Sequence, residues 1–167
     1  MLIAKVSLLL ALLTLTSCSR RDSKIIAPAI GVETEVKVKK AIADERALRG
    51  DFESNIGSRV YFAFDKATLS KEAKDKLQKQ AEWLNSHPDV VATIEGHCDE
   101  RGGKNYNLAL GLRRAEAVEK FLVAHGVNKN SLTTVTHGKG MPEVEGHNED
   151  AWKLNRRAVS IIISEAQ

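Results

Sequence analysis

Between Gly96 and Ala115 the chain reads GHCDERGGKNYNLALGLRRA, and two of its side chains, Asp99 and Arg114, together complement a zwitterion. An aspartate offers only acceptors, which suits an ammonium, while a guanidinium presents a planar fork of donors that suits a carboxylate. A structural ion pair closing the turn onto the following helix is the other use of the same two residues. Catalysis is disfavoured. His97 and Cys98 are adjacent on an expected strand and point to opposite faces, against a thiolate dyad. His97 with Asp99 suggests a metal pair, but His87, His125, His137 and His147 show no ligand spacing such as H-E-x-x-H, so no metal is assigned. Gly102-Gly103-Lys104-Asn105 lacks the leading glycine and the final Ser/Thr of a phosphate loop.

The elements that must position these residues are legible on either side. Val90 to Gly96 follows the breaker Pro88 and alternates, with Val90, Ala92, Ile94, Gly96 and Cys98 on one face and Thr93, Glu95, His97 and Asp99 on the other. Gly102-Gly103 gives the backbone freedom for a turn. From about Asn105 the spacing predicts a helix with Leu108, Leu112, Ala115, Val118 and Leu122 as its apolar stripe, ending at Gly126. Arg114 lies outside that stripe, beside Leu110, and is expected to reach along the helix towards Asp99. Cys98, on the apolar strand face, is expected to pack as a small hydrophobe.

Around this unit, Arg59 to Phe64 reads as a first strand. Ser70 caps a helix through about Asn85, with Ala73, Leu77, Ala81 and Leu84 inward. Leu132 to His137 reads as a third strand, Asp150 to Asn155 as a short helix and Ala158 to Ile163 as the last strand. The fold class is α/β: a β-α-β-α-β-α-β sandwich with helices packed on a four-stranded mixed sheet.

The 167 residues fit one domain plus attachments. Residues 1–17 hold Lys5 and then an apolar run of about a dozen residues, below the roughly 20 needed to span a bilayer, so they read as a signal peptide. Residues 18–55 are charged and poor in large apolar side chains; they read as a flexible tether, transiently helical around Glu35 to Leu48, with a reach of roughly 30–35 Å. Residues 56–167 form the folded domain. A net charge of +3, with both signs interspersed and no basic stripe, argues against nucleic acid as a partner.

The run GHCDERGGKNYNLALGLRRAEAV resembles the OmpA-like peptidoglycan-binding domain family, most closely its peptidoglycan-associated lipoprotein branch. Tyr61-Phe62-Ala63-Phe64-Asp65 upstream agrees with it. So do His137-Gly138-Lys139-Gly140, Pro142, Gly146-His147 and Asn155-Arg156-Arg157-Ala158-Val159 downstream. The resemblance covers roughly residues 59 to 163. It implies the same sandwich and a non-enzymatic protein without cofactor, whose ligand is peptidoglycan, recognised through the diaminopimelate of its stem peptide. Carried over, Asp99 accepts from the ammonium and Arg114 clamps the carboxylate. Phe64 and Asp65 form one wall, Asp99, Glu100 and Arg101 the loop, Leu110 an apolar contact and Asn107 a polar neighbour. Arg156 and Arg157 are expected to support the sheet end and the ligand loop. On this reading Arg114→Ala leaves the fold intact and abolishes wall binding.

Leu15-Thr16-Ser17-Cys18 likewise resembles a bacterial lipobox. It implies a covalent lipid on Cys18, with two acyl signals sufficient for stable anchoring. Ser19 is not the aspartate that commonly retains such proteins at the inner membrane, which favours the outer membrane with the domain facing the periplasm. The branch further implies a second partner, the propeller protein of the Tol system (TolB), and a role in envelope integrity and cell division. The alternatives are an OmpA-like lipoprotein outside the Tol system and a lipid-anchored wall hydrolase.

Overall fold

The computed structural model describes residues 30–164. In chain order they form α1 (Ile30–Asp51), a π-helical turn (Phe52–Ile56), β1 (Arg59–Tyr61), α2 (Lys71–Ser86), β2 (Val90–His97), α3 (Lys104–Ala124), a 3-10 turn (Lys129–Ser131), β3 (Leu132–Gly138), α4 (Glu149–Asn155) and β4 (Arg157–Ser164). The strands lie in the order β1-β4-β2-β3. β4 runs antiparallel to both β1 and β2, while β2 and β3 are parallel. The parallel pair requires a crossover, which α3 supplies. This is the mixed sheet with packed helices that the sequence predicts.

The local causes are those expected at α2. Ser70 is extended and accepts from the Ala73 N–H at 3.2 Å, a cap worth about 1 kcal/mol. Ala73, Leu77, Ala81 and Leu84 are all buried, joined by Trp83 and the amide of Gln80. They meet Val90, Ala92 and Ile94 of β2 and Val118 and Leu122 of α3 in a single core.

Three expectations change. The first strand ends at Tyr61 rather than Phe64, and Phe62 bonds through its N–H to Arg156 O at 2.9 Å. The segment read as tether is helical from Ile30, and its end belongs to the domain. Phe52 is fully buried and packs edge-on against Trp83, with ring centroids 5.0 Å apart, while Trp83 Nε1 donates to Asp51 at 2.7 Å. A lone aromatic in a charged stretch thus moves the edge of the core upstream of the expected boundary at 56. Cys18 and residues 1–17 lie outside the described residues.

The third change is the face that α3 buries. Leu112 is exposed, while Asn107, Leu110, Gly111, Arg114, Ala115 and Val118 are buried. The reason is backbone contact. A Cβ built on Gly96 of β2 falls 1.8 Å from Gly111 O of α3, and one on Gly111 falls 2.4 Å from Thr136 Oγ1 of β3. Helix and strand touch without side chains between them, which turns Arg114 inward along the end of β2.

Candidate ligand-binding site

Where β2 ends, its pairing with β3 slips between Gly96 and His97, and the chain leaves the sheet into the loop 98–103. Cys98 still bonds to β3, from its N–H to Gly138 O at 2.7 Å. Gly102 then takes φ +86°, a conformation that side chains resist, and the chain turns into α3 at Gly103. The loop is held from several sides. Asn107 Nδ2 donates to Arg101 O at 2.8 Å, and Lys139 Nζ donates to Glu100 O at 3.0 Å and to Gly102 O at 2.7 Å. Lys139, far along the chain, is a loop clamp that no spacing in the sequence reveals.

Asp99 sits inside this loop with its carboxylate buried. Oδ1 accepts from the Arg101 backbone N–H and from Arg101 Nε, both at 3.1 Å, while Oδ2 accepts from Arg101 Nη2 at 2.7 Å and Arg156 Nη1 at 3.3 Å. Burial pushes its protonation up, but these hydrogen bonds together outweigh it and hold the carboxyl below the usual range. The native state therefore favours the ionised form. The stabilisation is complete above the ordinary value of 3.8 and is lost as pH falls through the lower native value. We expect a carboxyl-carbon NMR titration to show Asp99 still ionised below 3.8. Amide protection in the loop should fall only as Asp99 protonates.

Arg114, 1% exposed, does not pair with Asp99. Its Nε donates to Lys66 O at 2.8 Å, Nη1 to His97 O at 2.7 Å and Nη2 to Ala63 O at 3.3 Å. One guanidinium thus ties α3 to the end of β2 and to the loop after β1. The expected structural ion pair between Asp99 and Arg114 is corrected: Asp99 takes Arg101 and Arg156 as partners, and Arg114 takes carbonyls. Three of the five N–H groups of the guanidinium are spent on these carbonyls, and Cys98 lies against the same group. Among the described residues Arg114 forms no ion pair. Desolvation therefore dominates, and it lowers the affinity of the guanidinium for its proton.

A cleft of about 180 Å³ opens between these groups, lined by Phe64, Asp65, Cys98, Asp99, Arg101, Gly102, Tyr106, Asn107, Leu110 and Arg114. That is room for roughly half a dozen waters, or the head of an amino acid. Seven of the eight expected site residues are brought together: Phe64, Asp65, Asp99, Arg101, Asn107, Leu110 and Arg114. Glu100 is not among them. It turns outward and accepts from Trp152 Nε1 at 2.9 Å and pairs with His147 at 2.7 Å. Its role is to hold Trp152, whose ring lies 3.9 Å from the Arg101 guanidinium, with Phe64 4.0 Å from the same group on the cleft side. Arg101 is held by two aromatic faces and by the carboxylates of Asp99 and, at 3.8 Å, Glu149.

Sequence reading missed Tyr106 and the cleft-facing part of Cys98. Tyr106 donates its hydroxyl to Asp65, which adopts φ +55°. The two residues close one wall. Cys98 is buried, with its Sγ near Asn107 O at 3.3 Å, and burial pushes the thiol's proton affinity up. It packs as expected and is a poor nucleophile. Arg156 is also as expected. Besides Asp99, its Nε reaches Phe62 O at 3.1 Å, so it braces the carboxylate from behind.

Residues 61–156 match the OmpA family. The chain belongs to the OmpA family. Two of its relatives are named peptidoglycan-associated lipoprotein. The peptidoglycan-associated lipoprotein of Agrobacterium fabrum is 42% identical over 112 residues, 67% of this chain and 63% of that protein. The one from Mesorhizobium japonicum is 36% identical over 154 residues, 92% of this chain and 88% of its own length. The chain thus spans a little under two thirds of the Agrobacterium protein. Among solved structures, the peptidoglycan-associated lipoprotein of Burkholderia pseudomallei superposes with a TM-score of 0.64 at 39% identity, covering 66% of this chain and 96% of that one. The C-terminal domain of Helicobacter pylori MotB, at 21% identity and a TM-score of 0.58, covers 64% of this chain and 86% of that one and shows the fold alone.

Proposed function

We propose that this chain is an outer-membrane lipoprotein, lipidated on Cys18, whose OmpA-like domain binds peptidoglycan non-covalently and links membrane to wall. The observation that carries the reading is the pairing of charges across one cleft: a buried carboxylate at Asp99 and a buried guanidinium at Arg114 that has no ion-pair partner among the described residues. Diaminopimelate carries an ammonium and a carboxylate on the same distal carbon, the zwitterion such a cleft accommodates. Its carboxylate supplies the charge that Arg114 lacks. Its ammonium takes over part of the Arg101 contact at Asp99, because Arg101 is the more exposed cation there, at 31% against 6% for Arg156. Phe64, Tyr106 and Leu110 cover the methylenes.

No bond is made or broken in this mechanism. One modest site per molecule becomes an effective tether because the lipid confines it beside a wall that repeats the same ligand. No helix among the described residues is long and apolar enough to cross a membrane, and the lipobox-like sequence at Cys18 supports attachment by lipid instead. Kinship with peptidoglycan-associated lipoproteins supports the propeller protein of the Tol system as a second partner, with a role in envelope integrity and cell division. Incubated with purified wall, the protein is expected to sediment with it and release no muropeptides. Released fragments would instead identify a hydrolase.

A further inference from the structure

The face of the sheet turned away from α2 and α3 carries a second cluster, unrelated to the cleft. Glu95 and His97 project from it on β2 and His137 on β3, and one donor atom from each lies within 4.8 Å of the others. Glu95 Oε2 is 3.4 Å from His97 Nε2, and Glu95 Oε1 is 3.2 Å from His137 Nε2. A tetrahedral zinc ion with bonds of about 2.0–2.1 Å sets its ligand atoms about 3.3–3.5 Å apart. Each histidine thus lies at about that distance from a different oxygen of the one Glu95 carboxylate. Forty residues of chain separate the histidines, so linear spacing hides what the parallel pairing of β2 and β3 assembles.

The decisive residue is His97, 2% exposed. Its Nδ1 lies 3.2 Å from Met141 O and its Nε2 faces Glu95, and both oxygens can only accept. A neutral imidazole has one N–H for these two acceptors. In either tautomer one nitrogen points its lone pair at an oxygen, and Nε2 is indeed without a hydrogen-bond partner, as is His137 Nε2. A cation between Nε2 and the carboxylate resolves the conflict. With Nδ1–H donated to a backbone carbonyl, His97 also has the outer support that metal-bound histidines show.

We propose that Glu95, His97 and His137 form a binding site for a divalent transition metal of borderline softness, zinc being the type, which cross-links the ends of β2 and β3. Imidazole and carboxylate donors suit zinc far better than magnesium or calcium. Glu95 and His137 are partly exposed, giving an entry path and a fourth position for water. Arg157 from β4 works against the charge, but its Nε lies 3.2 Å from Glu143 Oε2, and Glu143 also faces Arg59 of β1 at 3.4 Å. The fixed charges around the cluster therefore nearly cancel.

The test uses the full-length protein in detergent, freed of metal, with Zn²⁺ followed by calorimetry and Co²⁺ by visible absorption. The expected result is one equivalent of Zn²⁺, bound at least tenfold more weakly by Glu95→Gln and by His137→Ala, and a cobalt spectrum without a thiolate charge-transfer band. Circular dichroism checks that each variant is folded. Should His137→Ala fail to fold, the isosteric Glu95→Gln decides. No zinc binding by the wild type, unchanged affinity in the folded variants, or a thiolate band pointing to Cys98 would each overturn the site.

Discussion

Replacing Arg114 with alanine is expected to abolish sedimentation with purified wall and also to destabilise the domain by about 3–5 kcal/mol. The second effect separates a buried arginine from a surface grip. The side chain donates to three carbonyls on two other segments, those of Ala63, Lys66 and His97. Removing it leaves those acceptors poorly satisfied and opens a void beside Phe62, whose ring lies 5.2 Å from the guanidinium. Against a typical domain stability of about 5–15 kcal/mol, such a loss is large but need not unfold the protein at room temperature. Arg114→Lys distinguishes binding from folding. It keeps a cation of similar length but not the fork, so one ammonium cannot serve three carbonyls and a ligand carboxylate together. We expect a folded protein of intermediate stability whose wall binding is weaker by tenfold or more, about 1.4 kcal/mol at the least. Chemical denaturation and wall sedimentation on the same samples check both halves.

Gly96→Ala carries the largest purely structural effect. Its new methyl would lie 1.8 Å from Gly111 O and 2.5 Å from Gly111 C, and both are backbone atoms that no rotamer change can move aside. α3 must retreat from β2 by more than an ångström. Overpacked cores lose about 1–3 kcal/mol, and a backbone collision belongs at or beyond the upper end. Because α3 carries Arg114 and β2 leads into Asp99, the same displacement widens the cleft, and wall binding should fall with stability. Gly50→Ala is the control. Beyond its chain neighbours and its own helix backbone, no heavy atom lies within 4 Å of the added methyl, and Gly50 sits in α1, so the change should be neutral or stabilising by about 0.5–1 kcal/mol. Equal stability for Gly96→Ala and Gly50→Ala would show that the helix–strand contact is slack.

These residues also mark how far the sequence can be read. Element types and order followed from local signals: Ser70 before a helical apolar pattern, β-branched alternation from Val90, glycines at the turn. The burial of α3 did not. Hydropathy placed Leu112 inside and Arg114 outside, because it scores side chains singly. It cannot register that Gly96 and Gly111 bring two backbones together, or that three carbonyls await one guanidinium. Asp99 is legible as a candidate, but its partner Arg156 lies 57 residues away and becomes a neighbour only through the β1-β4-β2-β3 strand order. Glu100 was placed in the site by sequence adjacency, yet the loop turns it towards His147 and Trp152. Phe52 was hidden for the opposite reason, as a single apolar residue in a stretch whose composition suggested a tether.

The central claim is that Asp99 and Arg114 read the two charges at the end of diaminopimelate. Its most direct test is an NMR titration of the full-length protein in detergent with two stem peptides, one containing diaminopimelate and the other lysine, which keeps the ammonium but lacks the distal carboxylate. The account predicts saturable shifts at the Asp99 carboxyl and the Arg114 Nε–H with the diaminopimelate peptide, and at least tenfold weaker binding of the lysine peptide. Equal affinity for the two peptides, or saturable binding that leaves the Arg114 signal unmoved, would contradict it.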